Sequence, residues 1–477
     1  MVTFSQHFDL AKSQAELDFV DVTLARDLPL FVDPFAISQR VDRWSQDAHA
    51  QLLAFFQQLV DRIRSGRRQE ARDLLRHLKE PNETRLGLSR GRPQGAGIGS
   101  FQANQLFHAL EASNAVQTGF INSLEECELM IEGIGRDKIS DLTTNVLRGR
   151  LASYTLEQCK LHGVPTRPVG LAPYFSLEAR DWVNEYLELP VASGNPILLV
   201  PKAIARFDFS YNHGDYYRHY ALDFLQAEHL AAGTSLVHAL KNGKRKVYKT
   251  DLEKLFPCTK EYLFEFSKNH PEVLAHYRAE LTTIEKRGLH SIVQPEDEPA
   301  IAGALRTALA SIAPGSDRAS DYHKLMIGVL EFIFFPFLVC PRKEQEIHQG
   351  RKRIDIVMEN SATSGILHRL HDIRHLPCAF VAFECKNYST EIVNPELDQI
   401  AGRFSPNRGR IGFICCRRFE DKARFVERCR DTFRDDRGLV VPIDDHTADT
   451  WLAMIEGRKR NNLDAVLTRA IDEVWVS

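Results

Sequence analysis

Apolar residues recur every three to four positions over long stretches of the first 290 or so residues, the period of a helix with one buried face. The clearest cases are WSQDAHAQLLAFFQQLVDRIRSG from Trp44 and the charged RRQEARDLLRHLK that ends at Lys79. Helical periodicity continues to about Arg287, broken near residues 165–173, 190–201 and 241–246. Residues 18–35 read instead as two short strands around a turn. A glycine-rich stretch, 87–99, precedes a helix that Ser100 could cap. Residues 293–320 collect proline, acids, glycine and serine and hold the best boundary candidate in the chain. No repeat of fixed period is present.

Beyond that boundary the texture changes. A helix, SDYHKLMIGVLEFIFFPF, leads into LVCPRKEQEI, RKRIDIVMEN and the apolar run CAFVAFECKNY. Then follow a helix NPELDQIAGRF, a strand RIGFICCRR, a helix KARFVERCRDTF and a strand LVVPI. The order is α-β-β-β-α-β-α-β, and fully apolar runs such as AFVAF and IGFIC suit strands covered on both faces. We therefore expect a multidomain α+β or α/β protein. A mainly helical region, residues 1–295, would be joined by a linker, 296–318, to an α/β sandwich around a small mixed sheet, 319–477.

Composition narrows the class. The 477 residues carry 61 Lys+Arg against 64 Asp+Glu, a net charge of -3, so nucleic-acid binding has no support from the chain as a whole and must rest on a local site. The nine cysteines form no CxxC pair and read as reduced thiols of a cytoplasmic protein. No signal peptide is apparent at the N-terminus. The most apolar window, 325–340, is interrupted by Glu331 and Pro336 and is too short for a membrane span.

The residues with the sharpest chemistry lie in the last third. Asp355 sits in the alternating IDIV. In FECK, Glu384 and Lys386 are two apart, so a strand turns both to one face and Cys385 to the other. Two carboxylates and one ammonium brought together meet the needs of metal-dependent phosphodiester hydrolysis: carboxylates bind hard Mg²⁺, the metal activates water, and lysine orients it. These residues, on the second and third strands after a leading helix, resemble the PD-(D/E)XK restriction-endonuclease-like superfamily over about residues 318–450. The resemblance implies a Mg²⁺-dependent endonuclease, with Mn²⁺ as a possible substitute. It also implies metal ligation by Asp355, Glu384 and Glu331, the last matching an additional acidic position on the leading helix. Gln399 resembles the glutamine that Mrr-like members place on the helix after the catalytic strand. The usual proline before the first aspartate is absent.

Residues 401–430 hold nine basic side chains against three acids. Arg403, Arg408, Arg410, Arg417 and Arg418 are the expected phosphate contacts. Two further basic runs, 341–353 and 241–249, are read as a hairpin near the cleft and an exposed loop. The resemblance implies DNA as substrate, a role in bacterial restriction or anti-phage defence, a homodimer and a companion defence protein. The alternatives are a binding or regulatory subunit that keeps the fold without the metal, or an RNA nuclease in a larger assembly. Asp208, His213, Asp215 and His219 have metal-ligand chemistry but read better as a polar turn or a partner surface, and Asp33 as a turn or cap.

Overall fold

The computed structural model describes residues 1–87, 98–286, 292–343 and 356–475. Its buried apolar residues fall into two main cores, one built almost wholly before residue 282 and one almost wholly after residue 301. In the first core, the Arg43–Arg64 helix starts where Asp42 accepts a hydrogen bond from the Ser45 amide at 2.9 Å. Its stripe of Leu52, Phe55, Phe56, Leu59 and Ile63 is buried. The Arg136–His162 helix is buried along most of its length, and Gly163 ends it with a left-handed φ of 73°.

Two local expectations change here. Residues 18–35 supply one short strand, Phe31–Val32, whose partner is the distant Ala205–Arg206, because Asp33 stops the strand by capping the Pro34–Ser38 helix. Ser100 falls within the Ile98–Ala112 helix, two residues after its start.

The second core surrounds a five-stranded mixed sheet of β1 (Leu338–Arg342), β2 (Ile356–Asn360), β3 (Phe380–Lys386), β4 (Ile411–Cys416) and β5 (Leu439–Asp444). They lie side by side in chain order. The first two pairings are antiparallel and the last two parallel. The parallel connections carry the Asn394–Ala401 and Lys422–Arg434 helices, as parallel pairing requires a crossover.

Strand alternation sorts the sheet's two sides. Phe383 of β3 and Phe413 of β4 stack at 5.1 Å, and Phe334 of the Ala319–Phe334 helix packs on both. On the opposite side, Gly412 leaves room for Ile400 and Phe404: a Cβ there would come within 2.8 Å of Ile400. Helices thus cover both faces.

The linker expected at 296–318 is corrected. It holds the Glu298–Ser311 helix, whose Ala302, Leu305 and Leu309 are buried in the second core. Pro299 sits in the first turn, where a proline leaves no helical hydrogen bond unmade. No helix among the described residues is long and apolar enough to cross a membrane.

Candidate functional site

β3 delivers Glu384 and Lys386 to one side of the sheet, as period-two alternation demands. Glu384 is fully buried, 0% exposed, and Lys386 Nζ stands 2.6 Å from its Oε1. Its second oxygen, Oε2, accepts from Nη1 of Arg403. Arg403 follows the Asn394–Ala401 helix, and its side chain is also 0% exposed. The remaining guanidinium donors, Nε and Nη2, are buried without an acceptor among the described residues. Lys386, at 16% exposed, is the member of the trio that reaches toward solvent.

The expected role of Arg403 in contacting phosphate is therefore corrected. A buried carboxylate needs a counter-charge, and Arg403 supplies it from inside the fold. Gln399, one helical turn earlier, is half-buried on the same helix. Asp355 lies outside the described residues. Ile356, the next residue in the chain, pairs with Phe383, the residue before Glu384.

Glu331 does not join this group, which corrects its expected place in one metal site with Glu384. Its helix packs on the Phe383 side of the sheet, while Glu384 points to the other. The Glu331 carboxylate is fully buried and pairs with Lys202 of the first core at 3.1 Å. Burial pushes its pKa up to about 7; Lys202 opposes that rise, and Asp18 adds to it as a neighbouring like charge. Asp18 accepts from the Tyr154 hydroxyl at 2.7 Å and from the Cys340 amide on β1 at 3.1 Å. Lys202 also donates to the Ala15 carbonyl at 3.2 Å. Beside this cluster, Arg40 donates to Ser361 at 2.7 Å, and Glu359 of β2 accepts from the Trp44 amide at 2.8 Å. The junction between the cores is thus a buried polar seam.

A family model described as a domain of unknown function, DUF8370, matches residues 9–212. No curated protein and no solved structure matches the chain. The matched stretch includes Asp18, Tyr154 and Lys202 of the seam and stops well short of Glu384 and Lys386.

The remaining expected phosphate contacts divide. Arg417 is held inside: its Nε pairs with Asp445 at 3.0 Å, Nη2 donates to the Ile312 carbonyl at 2.6 Å, and its guanidinium lies 4.9 Å from the Tyr322 ring centre. It fastens the end of the Glu298–Ser311 helix to the sheet and is not a free phosphate contact. Arg410 pairs with Asp436 at 2.7 Å. Arg408 and Arg418 are exposed. Local composition counted these five alike; the packing does not.

Most of the 341–353 basic run lies outside the described residues, as does most of the 87–99 glycine-rich stretch. His213 pairs with Glu128 at 2.8 Å. Asp33, as expected of a cap, accepts from the Phe35 amide at 2.9 Å. Among the described residues no group of three or more His, Cys, Asp or Glu is placed to hold a metal ion.

A cavity of about 790 Å³ opens between the two cores, lined in part by Arg40, Lys202, Arg206, Phe335, Trp451 and Arg460. Neither Glu384 nor Lys386 lines it. Three of its cations already face acids: Arg40 pairs with Asp42, Lys202 with Glu331 and Arg460 with Glu298. The Glu384–Lys386 pair, a buried carboxylate with a partly exposed ammonium on one strand face, is the better candidate for chemistry.

Proposed function

We propose that the C-terminal unit is a metal-dependent nuclease of the PD-(D/E)XK kind that hydrolyses DNA, in restriction or anti-phage defence. One observation carries the reading: Glu384 and Lys386 lie 2.6 Å apart on one face of a central strand, at the spacing the motif requires. Further support comes from the five-stranded mixed sheet with helices on both faces, and from the pairing that sets Ile356 opposite Phe383.

Glu384 and Asp355 would hold Mg²⁺ or Mn²⁺, which would polarise the scissile phosphate and lower the pKa of bound water. Lys386 orients the attacking water and offsets charge that develops on the phosphate. Arg403 fixes the second oxygen of Glu384, so the carboxylate keeps one orientation. Glu331 has no part in this mechanism. A homodimer cutting one strand with each subunit, and a companion defence protein, belong to the same proposal.

A second reading has an observation in its favour. Both oxygens of Glu384 are engaged by cations, Lys386 and Arg403, as in a purely structural ion network. A binding or regulatory module without metal would look the same.

Cleavage assays with Mg²⁺ on plasmid, linear duplex, single-stranded DNA and RNA, paired with calorimetric titration of Mg²⁺ and Mn²⁺, separate the two. The nuclease reading expects metal binding and cutting of DNA. Cutting of RNA alone would replace the substrate, and absence of both cleavage and metal binding would leave the second reading.

A further inference from the structure

The basic run at 241–249 forms a built feature. His238–Ala239 and Arg245–Lys246 pair as an antiparallel hairpin, and the turn is closed by the Gly243 amide donating to the Leu240 carbonyl at 2.9 Å. Gly243 takes a left-handed φ of 78°, which the tight turn needs. The base is anchored: Val247 is buried, and Gln226 donates to its carbonyl at 2.7 Å.

Along this hairpin Lys241, Lys244, Arg245 and Lys246 are all exposed. None of the four forms an ion pair among the described residues. The nearby acids are occupied elsewhere, Asp251 by His238 and Lys254, and Asp223 by Lys249. Tyr248 is 38% exposed beside them, with the Lys246 ammonium 5.2 Å from its ring centre. This contrasts with the 401–430 stretch, where Arg403 and Arg417 are spent on internal carboxylates.

Four uncompensated cations on an anchored ribbon, next to an exposed aromatic ring, form a concentrated positive field. We propose that this hairpin is a sequence-independent contact to the phosphate backbone of nucleic acid. The choice of DNA over another polyanion rests on the nuclease reading above.

The test compares wild type with the variant Lys241→Gln, Lys244→Gln, Arg245→Gln and Lys246→Gln. Binding to a short DNA duplex is measured by fluorescence anisotropy in EDTA, so that cleavage plays no part. Each phosphate neutralised adds about 0.9 to the log–log salt slope, so the variant's slope should be shallower by about 3.6. Between about 50 and about 200 mM salt, that difference makes the wild type's affinity fall by about 150-fold more than the variant's. The double variant Lys241→Gln, Lys244→Gln should show about half the slope change, which guards against a folding defect in the fourfold variant. Equal slopes, or no duplex binding by wild type at the lowest salt, overturn the proposal. So does displacement of the duplex by polyglutamate at equal charge, which would point to an acidic protein partner. A wild type that binds in EDTA but never cuts with metal would sink the nuclease reading and leave the hairpin standing. An active variant with an unchanged slope would do the reverse.

Discussion

Two buried glutamates, Glu331 and Glu384, sit in the same half of the chain and are equally hidden from water. The structure sends them to different tasks. Glu331 looks away from the sheet, into the seam between the cores, and meets one lysine from the first core. Glu384 lies on a central strand and meets two cations from its own domain, one of them partly exposed. A buried charge in a sequence announces that a partner exists, because the desolvation cost is too large without one. It does not say which partner. The first arrangement ties two cores together; the second leaves an ammonium partly exposed beside a buried carboxylate.

The largest expected effect comes from breaking either pair on one side only. Glu384→Ala strands the Arg403 guanidinium in the core and should lower stability by about 3–5 kcal/mol. Arg403→Met together with Glu384→Leu should recover most of that loss. Glu331→Ala should cost about as much through Lys202, with Glu331→Leu plus Lys202→Met recovering it. Urea denaturation reads all of these. A double variant no better than its single parent would show that the partners had been misassigned.

The next effect separates the two glutamates by pH. The folded form holds the Glu331 proton up to about 7, against an ordinary value of 4.5 when unfolded. Between those values the folded state binds more protons than the unfolded state. Stability should therefore fall as pH rises through that window, by at most about 1.4 kcal/mol per unit. Glu331→Gln should flatten this slope, and an unchanged slope would place the titration elsewhere. Smaller still is the contrast among arginines. Arg417→Ala should cost about 1–3 kcal/mol, because it leaves the Ile312 carbonyl without its donor and Asp445 with the Tyr322 hydroxyl alone. The exposed Arg418→Ala should shift stability by less than about 0.5 kcal/mol. Equal costs would contradict the division of that basic stretch into inward and outward side chains.

Much of the second core was legible because its strands are short and apolar and its helices amphipathic. Period-two alternation alone places Glu384 and Lys386 together and Cys385 on the other side, where it is buried in the second core. The apolar spacing of Ala302, Leu305 and Leu309 was equally readable, but proline and acids around it suggested a linker; those residues mark a helix start instead. What stayed hidden depends on contacts distant in the chain. LEFIFF shows that Glu331 is buried, yet nothing local names Lys202. Nine basic residues between 401 and 430 read as one surface, and no local rule shows that Arg403 turns inward. The seam formed by Asp18, Tyr154, Arg40 and Ser361 carried no motif at all.

The most direct test of the central claim is a Mg²⁺-supplemented plasmid cleavage assay on wild type and Lys386→Ala. Lys386 is partly exposed and Arg403 still pairs with Glu384 when it is lost, so the fold should persist at some cost in stability, which urea denaturation of the variant measures. Wild type should cut, and Lys386→Ala should be slower by at least about 100-fold, as expected when a water-positioning group is lost. A Lys386→Ala protein that cuts as fast as wild type would contradict the claim.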